Sequence, residues 1–215
     1  MKRYLAEAIG TFALVFCGAG AIVINDVSEG AVTHVGIAIV FGLIVMAMIF
    51  SFGGTSGAHI NPAVTISFAI TDRFKRSDLI PYIIAQVIGA ILAAFLLKIL
   101  FPLHSNLGST LPSGSVTQSF ILEVVLTYFL MLVILMVSQN KTTKPFTAIA
   151  VGGTVLLEAM FAGPICGASM NPARSIGPAL VSGELTALWA YIVAPILGAL
   201  LATGTWIYLK EDEPS

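Results

Sequence analysis

Charge is what this 215-residue sequence has least of: Asp, Glu, Lys and Arg make up 10% of it, against about 25% in a soluble globular domain. Such a domain cannot hide an apolar share of 57%, so a soluble enzyme is excluded. A net charge of −1 offers no polycationic surface, which removes nucleic acid as a partner. Cysteine is nearly absent. Cys17 and Cys166 lie in apolar or Gly-rich stretches without metal-ligand spacing and read as small buried hydrophobes. No phosphate-binding glycine loop, metal cluster or nucleophile–base pair occurs, so neither catalysis nor a cofactor is expected. Only Met1, Lys2 and Arg3 precede the first apolar stretch, which is long enough to stay in a bilayer rather than act as a cleaved signal. What fills the chain instead is long apolar runs, and the class they imply is an integral membrane protein.

A helix needs roughly 20 residues to cross the hydrocarbon. Six stretches qualify, at about 4–24, 33–52, 79–101, 118–138, 146–163 and 187–209. Two shorter apolar stretches begin at Asn61-Pro62-Ala63 and Asn171-Pro172-Ala173. Each runs for about 15 Å as a helix, half a bilayer. A half-span cannot end in lipid with its backbone unpaired, so both are expected to be buried in protein or to line a wet cavity. With both re-entering on their own side, Lys2, Arg3, Arg73, Lys75, Arg76, Lys141, Lys144 and Lys210 fall on one face. The opposite connections, about 25–32, 102–117 and 182–186, hold no Lys or Arg. The positive-inside rule therefore places both termini in the cytoplasm of a multi-pass cell-membrane protein. Lys98, near the outer end of the third span, is the exception, and its stem is long enough to snorkel.

The two halves of the chain match. LAEAIGTFALVF at 5–16 overlays ILEVVLTYFLML at 121–132, which sets Glu7 over Glu123. SGAHINPAVTIS at 56–67 overlays CGASMNPARSIG at 166–177, and AQVIGAILA at 85–93 overlays APILGALLA at 194–202. The reading is one transmembrane domain over 1–215, with repeats at about 1–105 and 118–215. Three spans per half is an odd number, so the second copy enters from the opposite side. The half-spans then meet near the midplane. Asn is a favoured N-cap and Pro a favoured first helical residue, so each box starts a half-helix at its inner end. Two positive helix termini facing one point repel cations. An uncharged molecule can instead accept hydrogen bonds from the Asn61 and Asn171 amides, and a water held that way donates outward in both directions.

These residues resemble the aquaporin family, the major intrinsic proteins, over essentially the whole chain. The resemblance implies an all-α integral membrane fold with six transmembrane helices and two re-entrant half-helices. It also implies a homotetramer in the lipid bilayer, with a pore for water and small neutral solutes in every protomer. Arg174, directly after the second box, corresponds to the family's constriction arginine, and an arginine this deep needs a wet path or a partner. By offset from the boxes, the other constriction positions are Phe41, twenty before Asn61, then Ala159 and Ala168, twelve and three before Asn171. Water-selective members carry His where this chain has Ala159. A ring of Phe, Ala, Ala and Arg is wider and apolar on one side, which suits glycerol or a neutral metalloid hydroxide such as arsenous or boric acid. GLIVMAMIF and FAGPICGASMNPARSIGPAL are similar to the plant nodulin-26-like subgroup and its bacterial relatives. Dedicated glycerol facilitators differ: they carry Asp and a basic residue where this chain has Ser175 and Ala179.

Other polar residues allow two readings each. Glu7 and Glu123 are either structural acceptors for the re-entrant loops or members of a proton relay. His59 is either a hydrogen-bonded loop residue or a pH gate. Glu158 braces the loop before the second box or biases the pore entrance, and Cys166, in that loop, is a candidate for mercurial access. Competing with a solute-permeable channel are a water-selective pore, an ion-coupled carrier built on the same inverted repeat, and a non-conducting structural role.

Overall fold

The structure is a computed structural model and describes residues 1–210. Among them are eight α-helices and no strand: α1 (Lys2–Val27), α2 (Thr33–Ser56), α3 (Pro62–Ile70), α4 (Leu79–Leu100), α5 (Val116–Gln139), α6 (Thr147–Cys166), α7 (Pro172–Ser182) and α8 (Leu188–Leu209). All but α3 and α7 are long and apolar enough to cross a membrane. The two short helices, of 9 and 11 residues, are the half-spans. Helix α6 runs past its expected end at 163, through Pro164 to Cys166. Its outer face, like those of the other long helices, is apolar: Leu157 and Phe161 are exposed, as are Leu43 on α2 and Phe129 on α5. A helix apolar all round, with large side chains on its outside, is built to be solvated by lipid.

The packing has a two-fold pattern. Helix α1 lies on α4 and α5 on α8, and α2 and α6 pack on each other across the middle. Each half-helix lies against the last long helix of the other half, α3 on α8 and α7 on α4, so the halves interlock. Small residues permit the close approaches. A Cβ on Gly89 would overlap the Ala8 carbonyl oxygen, and one on Gly198 would overlap that of Val124. Where α2 meets α6, Gly42 and Gly152 face each other's carbonyls; a Cβ on either would lie 2.6 or 2.7 Å from the opposite oxygen.

These contacts predict a contrast. Gly89→Ala and Gly198→Ala should each destabilise the fold by about 1–3 kcal/mol through overpacking. Gly204→Ala, whose Cβ meets nothing within 4 Å, should stay within about 0.5 kcal/mol of the parent. Unfolding by SDS titration in detergent distinguishes them; equal midpoints for Gly89→Ala and Gly204→Ala would contradict the packing described.

Candidate functional site

The site begins with two loops that arrive at the half-helices in the same way. Helices α2 and α6 end in left-handed glycines, Gly57 and Gly167, whose amides close back onto Gly53 and Gly163. The chain then passes through left-handed φ at Ala58 and Ile60, and again at Ala168 and Met170. Such φ values are costly for residues with a Cβ, most of all for β-branched Ile60, so something must hold them. The braces are two intramembrane carboxylates, Glu7 and Glu123, both fully buried. Glu7 accepts from His59 N at 2.9 Å, Ile60 N at 2.6 Å and Ser56 Oγ at 2.7 Å. Glu123 accepts from Ser169 N and Met170 N, both at 2.7 Å. Gln86, which sequence reasoning did not single out, donates to Glu7 at 2.8 Å and to Thr65 Oγ1 at 2.9 Å. The mismatch of Gln86 with Pro195 in otherwise matching segments was the available signal.

The boxes meet. Asn61 Oδ1 caps Ala63 N at 2.9 Å, and Asn171 Oδ1 caps Ala173 N at 3.0 Å. Pro62 and Pro172 occupy the first helical position, where a missing N–H costs nothing. Asn61 Nδ2 donates to the Met170 carbonyl and Asn171 Nδ2 to the Ile60 carbonyl, both at 2.8 Å. Each amide has two N–H donors, so one ties the boxes together and one remains. Both Asn side chains line a cavity of about 120 Å³ that runs between the half-helices. Most of the lining is apolar and includes Val45, Val64, Val151 and Val155.

At one end of this cavity Arg174 faces Phe41, its guanidinium carbon 5.1 Å from the ring centroid. Arg174 is 1% exposed, and Nη1 donates to the Gly108 carbonyl at 2.9 Å. Nε and Nη2 have no partner, and no salt bridge involves Arg174 among the described residues. Ala168 completes this end of the lining. Ala159 is buried in the same apolar cluster as Phe41 and Ala168, but α6 contributes Thr147, Val151 and Val155 to the wall, not Ala159. Ser175 lies in a buried hydroxyl chain, 2.7 Å from Thr110 Oγ1 and 2.5 Å from Ser169 Oγ, and Ala179 is buried.

At the other end His59 lines the cavity and a wider vestibule, where Arg73 and Lys144 stand. Its Nδ1 is 3.2 Å from Thr65 Oγ1, and its ring is packed among Phe68, Phe74 and Tyr82. Two expectations need correction. Cys166 is not in the loop: it is the last residue of α6, fully buried, with Sγ 3.6 Å from the Ala162 carbonyl, so a mercurial has no access to it in this conformation. Glu158 neither braces the loop nor lines the cavity; its Oε2 is buried and has no partner among the described residues.

Removing a brace strands the backbone donors it serves, each at about 1–3 kcal/mol. Glu7→Ala, which strands His59 N and Ile60 N, should therefore lose at least about 2 kcal/mol, whereas Glu7→Gln, which keeps one acceptor oxygen, should lose less. The order of SDS-unfolding midpoints tests this, and equal losses would rule out the brace.

Comparison with known proteins agrees with this geometry. A family model described as "MIP: Major intrinsic protein" matches residues 1–208. The chain is 47% identical over 210 residues to Aquaporin NIP1-1 of Zea mays, covering 97% of this chain and 74% of that protein. Nodulin-26 of Glycine max is 43% identical over 210 residues, with 97% and 77% covered. Among solved structures, the aquaglyceroporin from Plasmodium falciparum superposes with a TM-score of 0.84 at 24% identity, covering 97% of this chain and 96% of that one, a likeness of fold. From its braced half-helices to its sequence over nearly every described residue, the chain belongs to the major intrinsic protein family.

Proposed function

We propose that this protein is a passive channel for water and small uncharged solutes, of the glycerol or neutral metalloid hydroxide class. The observation that carries the reading is Arg174: a buried guanidinium with Nε and Nη2 unpartnered, set against the Phe41 ring at the end of a mostly apolar cavity. Donors left free at that depth are satisfied by what passes. A polyol presents hydroxyls to Arg174 and its carbon face to Phe41 and the apolar side chains of the lining. The fixed positive charge opposes cations, and so do the two helix N-termini at the boxes. Ala168, and Ala159 behind the wall, leave the constriction without a bulky or polar third side. Similarity to Aquaporin NIP1-1 and Nodulin-26 along nearly the whole chain supports the channel class.

Glu7 and Glu123 weigh against an ion-coupled carrier: their oxygens are engaged by loop donors and neither lines the cavity. In the proposed setting the basic termini and connections face the cytoplasm, with Arg73 and Lys144 at the inner mouth and Arg174 toward the outside. The assembly is a homotetramer whose protomers each carry a pore, with lipid against the remaining apolar faces.

Stopped-flow light scattering on proteoliposomes tests the solute reading. A glycerol gradient should give rapid reswelling, and Ala159→His should cut that flux by about tenfold while water flux changes less than about twofold, because the imidazole narrows the constriction. Reswelling no faster than in empty vesicles would make this a water-only pore.

A further inference from the structure

The outer half of α6 carries a fault that another helix repairs. Pro164 lies inside α6, and a proline has no N–H to give to the carbonyl four residues earlier. That carbonyl belongs to Met160. It is not left alone: His34 Nε2, on α2, lies 2.7 Å from the Met160 oxygen. A carbonyl only accepts, so Nε2 carries the proton. Gly163 makes room for the imidazole, since a Cβ there would sit 2.8 Å from His34 Cε1. The carbonyls beyond have other donors: Gly167 N donates to Gly163 O, and Ser113, from the connection between α4 and α5, supplies Oγ to Pro164 O and N to Ile165 O. Met160 O is the one whose donor comes from the facing long helix.

The position of this bond gives it a consequence. His34, Ala38, Phe41 and Val45 recur at helical spacing on one face of α2. Phe41 and Val45 line the cavity. On the other side of the bond, Met160 directly follows Ala159, which shares an apolar cluster with Phe41 and Ala168. We propose that His34 is a positioning residue for the constriction: its Nε2–H replaces the donor that Pro164 lacks, and so holds the Ala159–Gly163 turn of α6 against the α2 face that bears Phe41. This rests on the reading of Phe41, Ala168 and Arg174 as the selective end of the pore. Without the bond, Met160 O has neither an intrahelical nor an interhelical donor, the turn moves off α2, and the constriction admits larger solutes.

Pro164 supplies the test, because replacing it restores the missing backbone N–H. Glycerol and erythritol permeabilities are measured in proteoliposomes for the parent, His34→Ala, Pro164→Ala and the double variant. His34→Ala should raise the erythritol-to-glycerol ratio by about threefold or more, with water flux changed less than about twofold. Pro164→Ala alone should match the parent, and in the double variant the ratio should return to it. His34→Gln, which keeps a side-chain donor, should also stay near the parent. An unchanged ratio in His34→Ala overturns the proposal. So does an equal rise in the double variant, which would make the effect one of lost side-chain volume.

Should the parent pass water but no glycerol, the solute reading fails while His34 is still tested. Glycerol flux should then appear in His34→Ala and vanish in the double variant; its absence from His34→Ala overturns the assignment. If His34→Ala yields no folded protein, recovery of folded protein in the double variant supports the swap of donors, and failure to recover contradicts it.

Discussion

Backbone that stops halfway across a bilayer has to find its hydrogen bonds inside the protein, and the rest of this structure is arranged around that need. Helices α3 and α7 both begin in the interior, and each leaves N–H groups that no helical carbonyl can reach. Asn61 and Asn171 cap their own helices and at the same time donate to the carbonyl that precedes the opposite box. The loops leading in are held at left-handed φ by Glu7 and Glu123, whose charges would have no place in the membrane without those donors. Gln86 and Ser56 take up more of the Glu7 carboxylate. Of the carboxylates within the spans, Glu7 and Glu123 are tied to this task, while Glu158 stands apart from it.

In the proposed function the same arrangement makes the cavity selective. Ends of helices that meet tip to tip present positive potential to the space between them, and the second N–H of each Asn amide is left to face it. Arg174 adds a fixed charge nearer one mouth, anchored through Gly108 and flanked by Phe41. The apolar side chains of the lining, Val45, Val151 and Val155 among them, offer no hydrogen bond, so a molecule in transit is held at few points. On the proposed reading, a few donors set in an otherwise apolar lining favour small neutral hydroxylated molecules, and a hydronium ion meets unfavourable potential at the boxes and at Arg174.

Much of this was legible in the sequence, for identifiable reasons. A six-span count needs only apolar run lengths, and the half-helices announce themselves by Asn-Pro at both starts, followed by runs too short to cross. Equivalence of Glu7 and Glu123 followed from overlaying the halves. What escaped depended on side chains meeting across space. Gly108 is an unremarked loop residue whose carbonyl receives Arg174. Glu158 neighbours Ala159 in sequence, yet projects from α6 without reaching the loop it was expected to brace. Cys166 looked like a loop residue because the fifth apolar run reads as ending at about 163, but the donor that Pro164 lacks is replaced from outside the helix, and α6 continues to Cys166. An offset from the box names Ala159 as a helical position; it says nothing of how far a methyl group reaches toward the cavity.

Two opposed half-helix N-termini and Arg174 are proposed to let neutral molecules pass while stopping protons. Water and proton fluxes measured on the same proteoliposomes, by light scattering and by a trapped pH-sensitive dye under an imposed pH gradient, test it most directly. Fast osmotic shrinkage with a proton leak no greater than that of empty vesicles is the predicted result. A proton flux that rises in step with the water flux would contradict it.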